Sequence, residues 1–166
     1  MKIFLFGAFI LLSIRSIGQT TDAIVVTGKV KQELTIRLTD LAAYPQQKIK
    51  KFKITNHKGE NKGEIKKMTG VSVLDLLQKV EFDVDNPKLL SEYYLVFEAF
   101  DGYKVVYSWN EIFNSDTGKH IFVVTSKDGE PAATMPQTML VVTPSDIQTG
   151  RRYIKNVAHI VVKKVE

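Results

Sequence analysis

Residues 93–109 constrain this chain more than any other stretch. Two runs rich in aromatic and β-branched residues, 94–100 and 103–109, are separated by Asp101-Gly102. Asp-Gly between such runs is among the strongest hairpin signals a sequence carries, because glycine accepts the positive φ of a tight reversal. A hairpin of this kind commits the chain to an antiparallel sheet with one face buried. The same period-two alternation predicts an opening hairpin from 24–30 and 34–38, and a second from 51–55 and 64–68 around the polar loop 56–63. Further strands are expected at 121–126, 139–143 and 154–162, with Lys127-Asp128-Gly129-Glu130-Pro131 turning between the first two.

Helical signals are sparse by comparison. Ser72 and Asp75 form a capping-box-like pair, and Val73, Leu74, Leu76, Leu77 and Val80 repeat at helical spacing, which predicts the main helix. Residues 83–87 are rich in breakers and end it. Thr39 is the expected cap of a single helical turn that Pro45 keeps from extending, and residues 109–113 predict one more turn. The fold class expected is α+β: mostly antiparallel β layers with one main helix.

The chain has no cysteine, so no disulfide supports it, and its 44% hydrophobic content has to supply the core. Residues 1–18 read as an export signal, with Lys2 at the start, an apolar run over 3–14 and the small residues Ser16 and Gly18 before the cleavage point. The apolar run is too short for a membrane-spanning helix, which needs roughly 20 residues. Residues 19–23 are expected to be a flexible start and residues 24–166 a single domain, secreted or periplasmic after cleavage near Gly18. Losing Lys2 and Arg15 lowers 23 basic residues to 21 against 18 acidic, a mild net charge of +3. Eight of the lysines crowd into positions 48–67, alternating with Phe52 and Ile54 as on the solvated face of a hairpin. A chain destined for export meets little nucleic acid, and none is expected as a partner.

Six segments, in this order, carry a resemblance. They are Thr27-Gly28-Lys29-Val30, Thr69-Gly70-Val71-Ser72-Val73-Leu74-Asp75-Leu76-Leu77, Asp101-Gly102-Tyr103, Asp128-Gly129-Glu130-Pro131, Leu140-Val141-Val142-Thr143-Pro144, and Gly150-Arg151-Arg152-Tyr153-Ile154-Lys155. Together, over about residues 24–163, the chain resembles the sulfite-oxidase-type molybdopterin-binding oxidoreductase domain. The resemblance implies layered β-sheets with a cofactor cleft at the loop edges, and a closing Gly-x-Arg-x-Val-Lys signature that presents cations to an anionic cofactor. Gly150, Arg152, Ile154 and Lys155 fill its places. In catalytic members a cysteine thiolate holds the molybdenum. Here Asn56 falls closest to that place, followed by His57, and asparagine offers no soft anionic sulfur. Residues 132–138 also lack the His-Gly character common in that family.

The candidate binding residues are therefore Asn56, His57, Tyr103, Trp109, Arg151, Arg152 and Lys155. An arginine grips an anion by a bidentate fork and a lysine as a point charge. Residues three apart on a straight strand face opposite sides, so Arg152 and Lys155 converge only where the chain bends after Gly150. Tyr103 and Trp109, beside the turn, are the aromatics placed to stack on a flat ring, whereas Phe97 and its neighbours at period two belong in the core. Three histidines without His-x-x-x-His or Glu-x-x-His spacing give no metal cluster, and no nucleophile elbow is present. The reading that follows is an exported non-catalytic binding module for a pterin-like, anionic or protein ligand, with molybdopterin the cofactor by resemblance. Two alternatives stand beside it: an active oxidoreductase with a non-cysteine metal environment, and an interaction protein using its lysine-rich hairpin.

Overall fold

The computed structural model describes residues 20–166; the expected export signal lies outside the described residues. Within them, twelve strands and two short α-helices follow one another. The opening hairpin is β1 (Ala23–Gly28) and β2 (Leu34–Arg37). A 3₁₀ turn, Leu38–Ala43, comes next, capped not by Thr39 but by Asp40, whose Oδ2 accepts the Arg37 backbone N–H at 2.9 Å. Then come β3 (Gln47–Ile49), β4 (Phe52–Thr55), β5 (Asn61–Ile65), β6 (Met68–Ser72) and α1 (Val73–Leu77). The central hairpin is β7 (Tyr93–Ala99) and β8 (Lys104–Ser108), and Gly102 takes the positive φ of 85° that its turn requires. α2 (Trp109–Phe113), β9 (Phe122–Lys127), β10 (Glu130–Pro131), β11 (Val141–Val142) and β12 (Val157–Lys164) complete the chain.

The expected main helix is a correction: α1 and α2 have five residues each, and neither dominates. Ser72 does cap α1, accepting the Leu74 N–H at 3.2 Å, but Asp75 returns no bond to it. The reciprocal capping box is on α2, where Ser108 Oγ accepts the Glu111 N–H at 3.1 Å and Glu111 Oε2 accepts the Ser108 N–H at 2.8 Å. What shortens α1 is tertiary. Beyond Gln78 the chain is drawn into backbone bonds with the exit of β1: Lys31 N–H donates to Glu81 O at 2.8 Å and Asp83 N–H to Lys29 O at 3.1 Å. The second hairpin shifts too, because Met68 opens β6 instead of extending β5.

Two sheets face each other. The first runs β2-β1-β12-β7-β8, with β1 and β12 parallel and the other pairs antiparallel. The second runs β10-β9-β6-β3, with β11 also on β9. Alternation sorts the side chains. Ile24, Val26, Leu95, Phe97, Tyr107, Ile160 and Val162 point from the first sheet into the main core, where Val71, Val123 and Val141 meet them from the second. Phe122, Val124 and Val142 point the other way, into a smaller core closed by Phe52 and Ile65 from the β4–β5 hairpin. The second sheet is thus buried on both faces, which is why 121–124 reads as an unbroken apolar run.

Candidate functional site

The loop from β11 to β12 carries the cationic segment. After Thr143 and Pro144 it forms a 3₁₀ turn, Thr149–Arg152, that lies against the end of β4. Thr149 fixes that contact: its Oγ1 donates to Lys53 O at 2.5 Å and accepts the Thr55 N–H at 3.2 Å. A Cβ added to Gly150 would collide with the Thr55 carbonyl oxygen, so only glycine permits this approach. The Asn56 loop, which continues directly from Thr55, is thereby tied to the same end of the molecule as Arg151 and Arg152.

Each nitrogen of the Arg152 guanidinium donates within the chain. Its Nε donates to Asp146 Oδ2 at 2.7 Å, its Nη2 to Asp146 Oδ1 at 2.5 Å, and its Nη1 to Glu111 Oε1 at 2.9 Å. The guanidinium lies over the Tyr107 ring, 4.5 Å from the centroid. Tyr107 is buried, and its hydroxyl shares a 2.7 Å hydrogen bond with the buried Thr143. The bonds to Asp146 hold the arginine's pKa above its already high ordinary value. Burial pushes the Tyr107 phenol up. Glu111 is partly buried, which opposes ionisation, but the Ser108 backbone N–H, Arg152 and the Ser108 hydroxyl outweigh this and hold its carboxyl below the ordinary value.

The other candidates fall into three settings. Arg151 is exposed, its Nε donating to Gln148 Oε1 at 2.8 Å, and its carbonyl accepts the Tyr103 hydroxyl at 2.6 Å, so Tyr103 braces the central hairpin against this turn. Lys155 and His57 lie at the surface, and Lys155 forms no ion pair among the described residues. Trp109 belongs to the margin of the core, stacked on Phe113 with centroids 5.3 Å apart and its indole N–H buried without a partner among the described residues. Asn56 is spent on its own loop. Its Oδ1 accepts the Lys58 and Glu60 backbone N–H groups, each at 3.0 Å, and its Nδ2 donates to Glu60 Oε2 at 2.9 Å.

The structure therefore brings Tyr103, Arg151 and Arg152 together with the end of β4; the side chains of His57, Lys155 and Trp109 form no hydrogen bond to that group among the described residues. Ser145, Asp146, Ile147, Gln148, Arg151 and Arg152 border an open depression of about 610 Å³. Within it the Arg152 guanidinium is paired with Asp146. Asp146, Glu111, Tyr107 and Thr143, which decide what Arg152 does, are the residues the sequence pattern does not single out. One signal was present: Ser108-x-x-Glu111 is a capping box, and it fixes Glu111 on the first turn of α2. The donor set offers no thiolate, since the chain has no cysteine and the asparagine nearest that place has both side-chain atoms engaged. Among the described residues no three His, Asp or Glu side chains gather into a metal-holding group.

No family model and no curated protein sequence matches this chain. A solved structure does: the crystal structure of the sulfane dehydrogenase SoxCD from Paracoccus pantotrophus superposes with a TM-score of 0.62 at 14% identity. The match covers 87% of this chain and 39% of that one, so this chain spans well under half the length of its neighbour. At that identity the likeness establishes a common fold: the two facing sheets and their connecting loops are similar to a region of the sulfane dehydrogenase.

Proposed function

We propose that this chain is a non-catalytic binding module on a sulfite-oxidase-like fold, acting outside the cytoplasm once residues 1–18 are removed. The observation that carries the reading is the closed state of Arg152. The arginine that the resemblance assigns to an anionic cofactor is paired with Asp146 and Glu111 and stacked on Tyr107. A cofactor phosphate would have to displace two carboxylates from it, and would bring its own negative charge beside them. The second support is Asn56, the residue that by resemblance falls closest to the place of the metal-binding thiolate, its amide turned into its own loop. With neither the soft ligand nor the free fork present, these residues do not fit a thiolate-held molybdenum centre, and no redox step is assigned to them.

Expression of the full chain in a host that makes and loads molybdopterin tests this directly. The purified mature protein is expected to contain far less than one molybdenum and one pterin per chain, and to turn over neither sulfite- nor sulfoxide-type substrates. Stoichiometric molybdenum together with turnover would establish the alternative, an oxidoreductase with a non-cysteine metal environment.

A further inference from the structure

The cations that are free to act lie elsewhere. A groove of about 420 Å³ crosses the face of the second sheet that looks onto the smaller core. One wall is β3 with the turn into β4, which bring Lys48, Lys50 and Lys51; the other is the end of the 3₁₀ turn Asp116–His120 with residues 144–145, which brings Lys119 and His120. All five are exposed, and no carboxylate is among the described lining residues. Lys48, Lys50 and Lys51 form no ion pair among the described residues. Lys119 meets Asp116 at 2.9 Å, an exposed pair of little strength, and His120 Nδ1 contacts the Asp116 carbonyl at 2.9 Å. Asp146, which follows the lining residue Ser145, is taken up by Arg152.

The floor between the walls is apolar. Ile49 of β3, Phe52 of β4 and Phe122 of β9 form it, each under a tenth exposed. Between β3 and β9 lies β6, and its residue there is Gly70: a Cβ on it would stand 3.2 Å from both Ile49 Cδ1 and Phe122 Cβ. No β6 side chain therefore divides the floor.

Lysines on one edge strand discourage edge-to-edge association, and that purpose needs no charge on a second element. Here segments far apart in the chain bring positive charge to both sides of one concavity. A cleft lined by one sign of charge over low-dielectric walls focuses the field and gathers counter-ions. The floor then selects among them, since a bare inorganic ion gains nothing from apolar surface and a ring gains by lying against Phe52 and Phe122. The volume is that of a small-molecule site.

We propose that this groove binds a compact organic polyanion: a planar aromatic ring bearing two or more carboxylates, its ring on the Ile49, Phe52 and Phe122 floor and its acid groups between the cations of the two walls. The proposal rests on the binding-module reading and names its ligand class. It is read by a different measurement from the molybdenum assay, so a failure here leaves the outcome for catalysis untouched.

The probe is naphthalene-2,6-dicarboxylate, titrated with the full mature chain and followed by its own fluorescence at low and at physiological salt. Lys51→Glu/Lys119→Glu, one change on each wall, is expected to weaken binding at least about tenfold, since like charges then face the ligand. Lys79→Glu/Lys88→Glu makes the same change in net charge outside the groove and is expected to alter binding less than about twofold, the modest effect of remote screened charge. Ser145→Trp fills the groove from an exposed position without altering charge, and is expected to weaken binding at least about tenfold by removing the concave space. Adipate, which keeps two carboxylates and loses the ring, is expected to compete at least about tenfold more weakly than the unmodified probe acid does. Circular dichroism on each variant shows that the fold is retained. Equal losses for the two charge pairs, undiminished binding to Ser145→Trp, or adipate, an oligoglutamate peptide or a DNA oligonucleotide competing as well as the aromatic diacid would each overturn the proposal, reducing the groove to a general polyanion surface. No detectable binding at low salt would overturn it as well.

Discussion

The turn at Arg152 and the groove along β3 are both cationic, and they treat their charge in opposite ways. At the turn, the Arg152 side chain is only 20% exposed and meets Asp146, Glu111 and the face of Tyr107. Along β3 and the turn into β4, Lys48, Lys50 and Lys51 stand in solvent with no described carboxylate lining the groove beside them. A charge removed from water has to find a partner within the chain, whereas a charge left in water needs none and stays available. Basic residues in a sequence are therefore ambiguous until burial is known, and here the cluster with the stronger motif is the one the fold has consumed.

The sharpest way to break this comparison is to remove the arginine. Arg152→Ala leaves Asp146 and part of Glu111 unpaired and Tyr107 uncovered, and is expected to lower unfolding stability by about 3 kcal/mol, toward the lower end for a broken buried pair because the site is not fully dry. Urea denaturation measures it. An unchanged midpoint would mean that the arginine is a free surface group after all. Gly150→Ala, which drives a Cβ into the Thr55 carbonyl, is expected to cost about 2 kcal/mol in the same assay, as overpacking against backbone does. An effect within a few tenths of a kcal/mol would show that the turn and β4 are not held in contact.

Tyr107→Phe is expected to cost about 1 kcal/mol, the usual loss for a buried hydroxyl pair, by leaving Thr143 without its partner. Acid sharpens the comparison further. Because the folded-state pKa of Glu111 lies below its ordinary value, its ionisation stabilises the fold above that ordinary value, and the contribution is lost as pH falls through the folded one. Denaturation midpoints are expected to drop below about pH 4.5, and Glu111→Gln should flatten part of that fall; an unaltered acid limb would separate Glu111 from the network. Smallest of all, Lys48→Ala and Lys51→Ala are expected to change stability by less than about 0.5 kcal/mol, as exposed substitutions do. A larger loss would show that the groove's charges, too, are engaged in holding the fold.

Where local rules govern, the sequence was enough. The Asp101-Gly102 reversal, the alternation that sends Leu95 and Phe97 inward, the cap at Ser72 and the strand ending the chain all follow from two- or three-residue chemistry, and each stands in the structure close to its expected place. So does the likeness of fold, because ordered turns and strands reflect the same local preferences. The short helix α1 did not follow from its apolar stripe, since the chain beyond Gln78 gains backbone bonds to residues 29–31, some fifty positions away. The parallel pairing of β1 with β12 joins the two ends of the described chain and has no local signature.

The site divides along the same line. Sequence alone determined which residues carry charge, that no thiolate exists, and that glycine at position 150 permits a tight approach. Tertiary structure alone decided that Arg152 meets Asp146 and Glu111 while Lys48, Lys50 and Lys51 form no ion pair among the described residues. Ion pairing depends on distance and on exclusion of water, and both are fixed only when strands remote in the chain close around the same few ångströms.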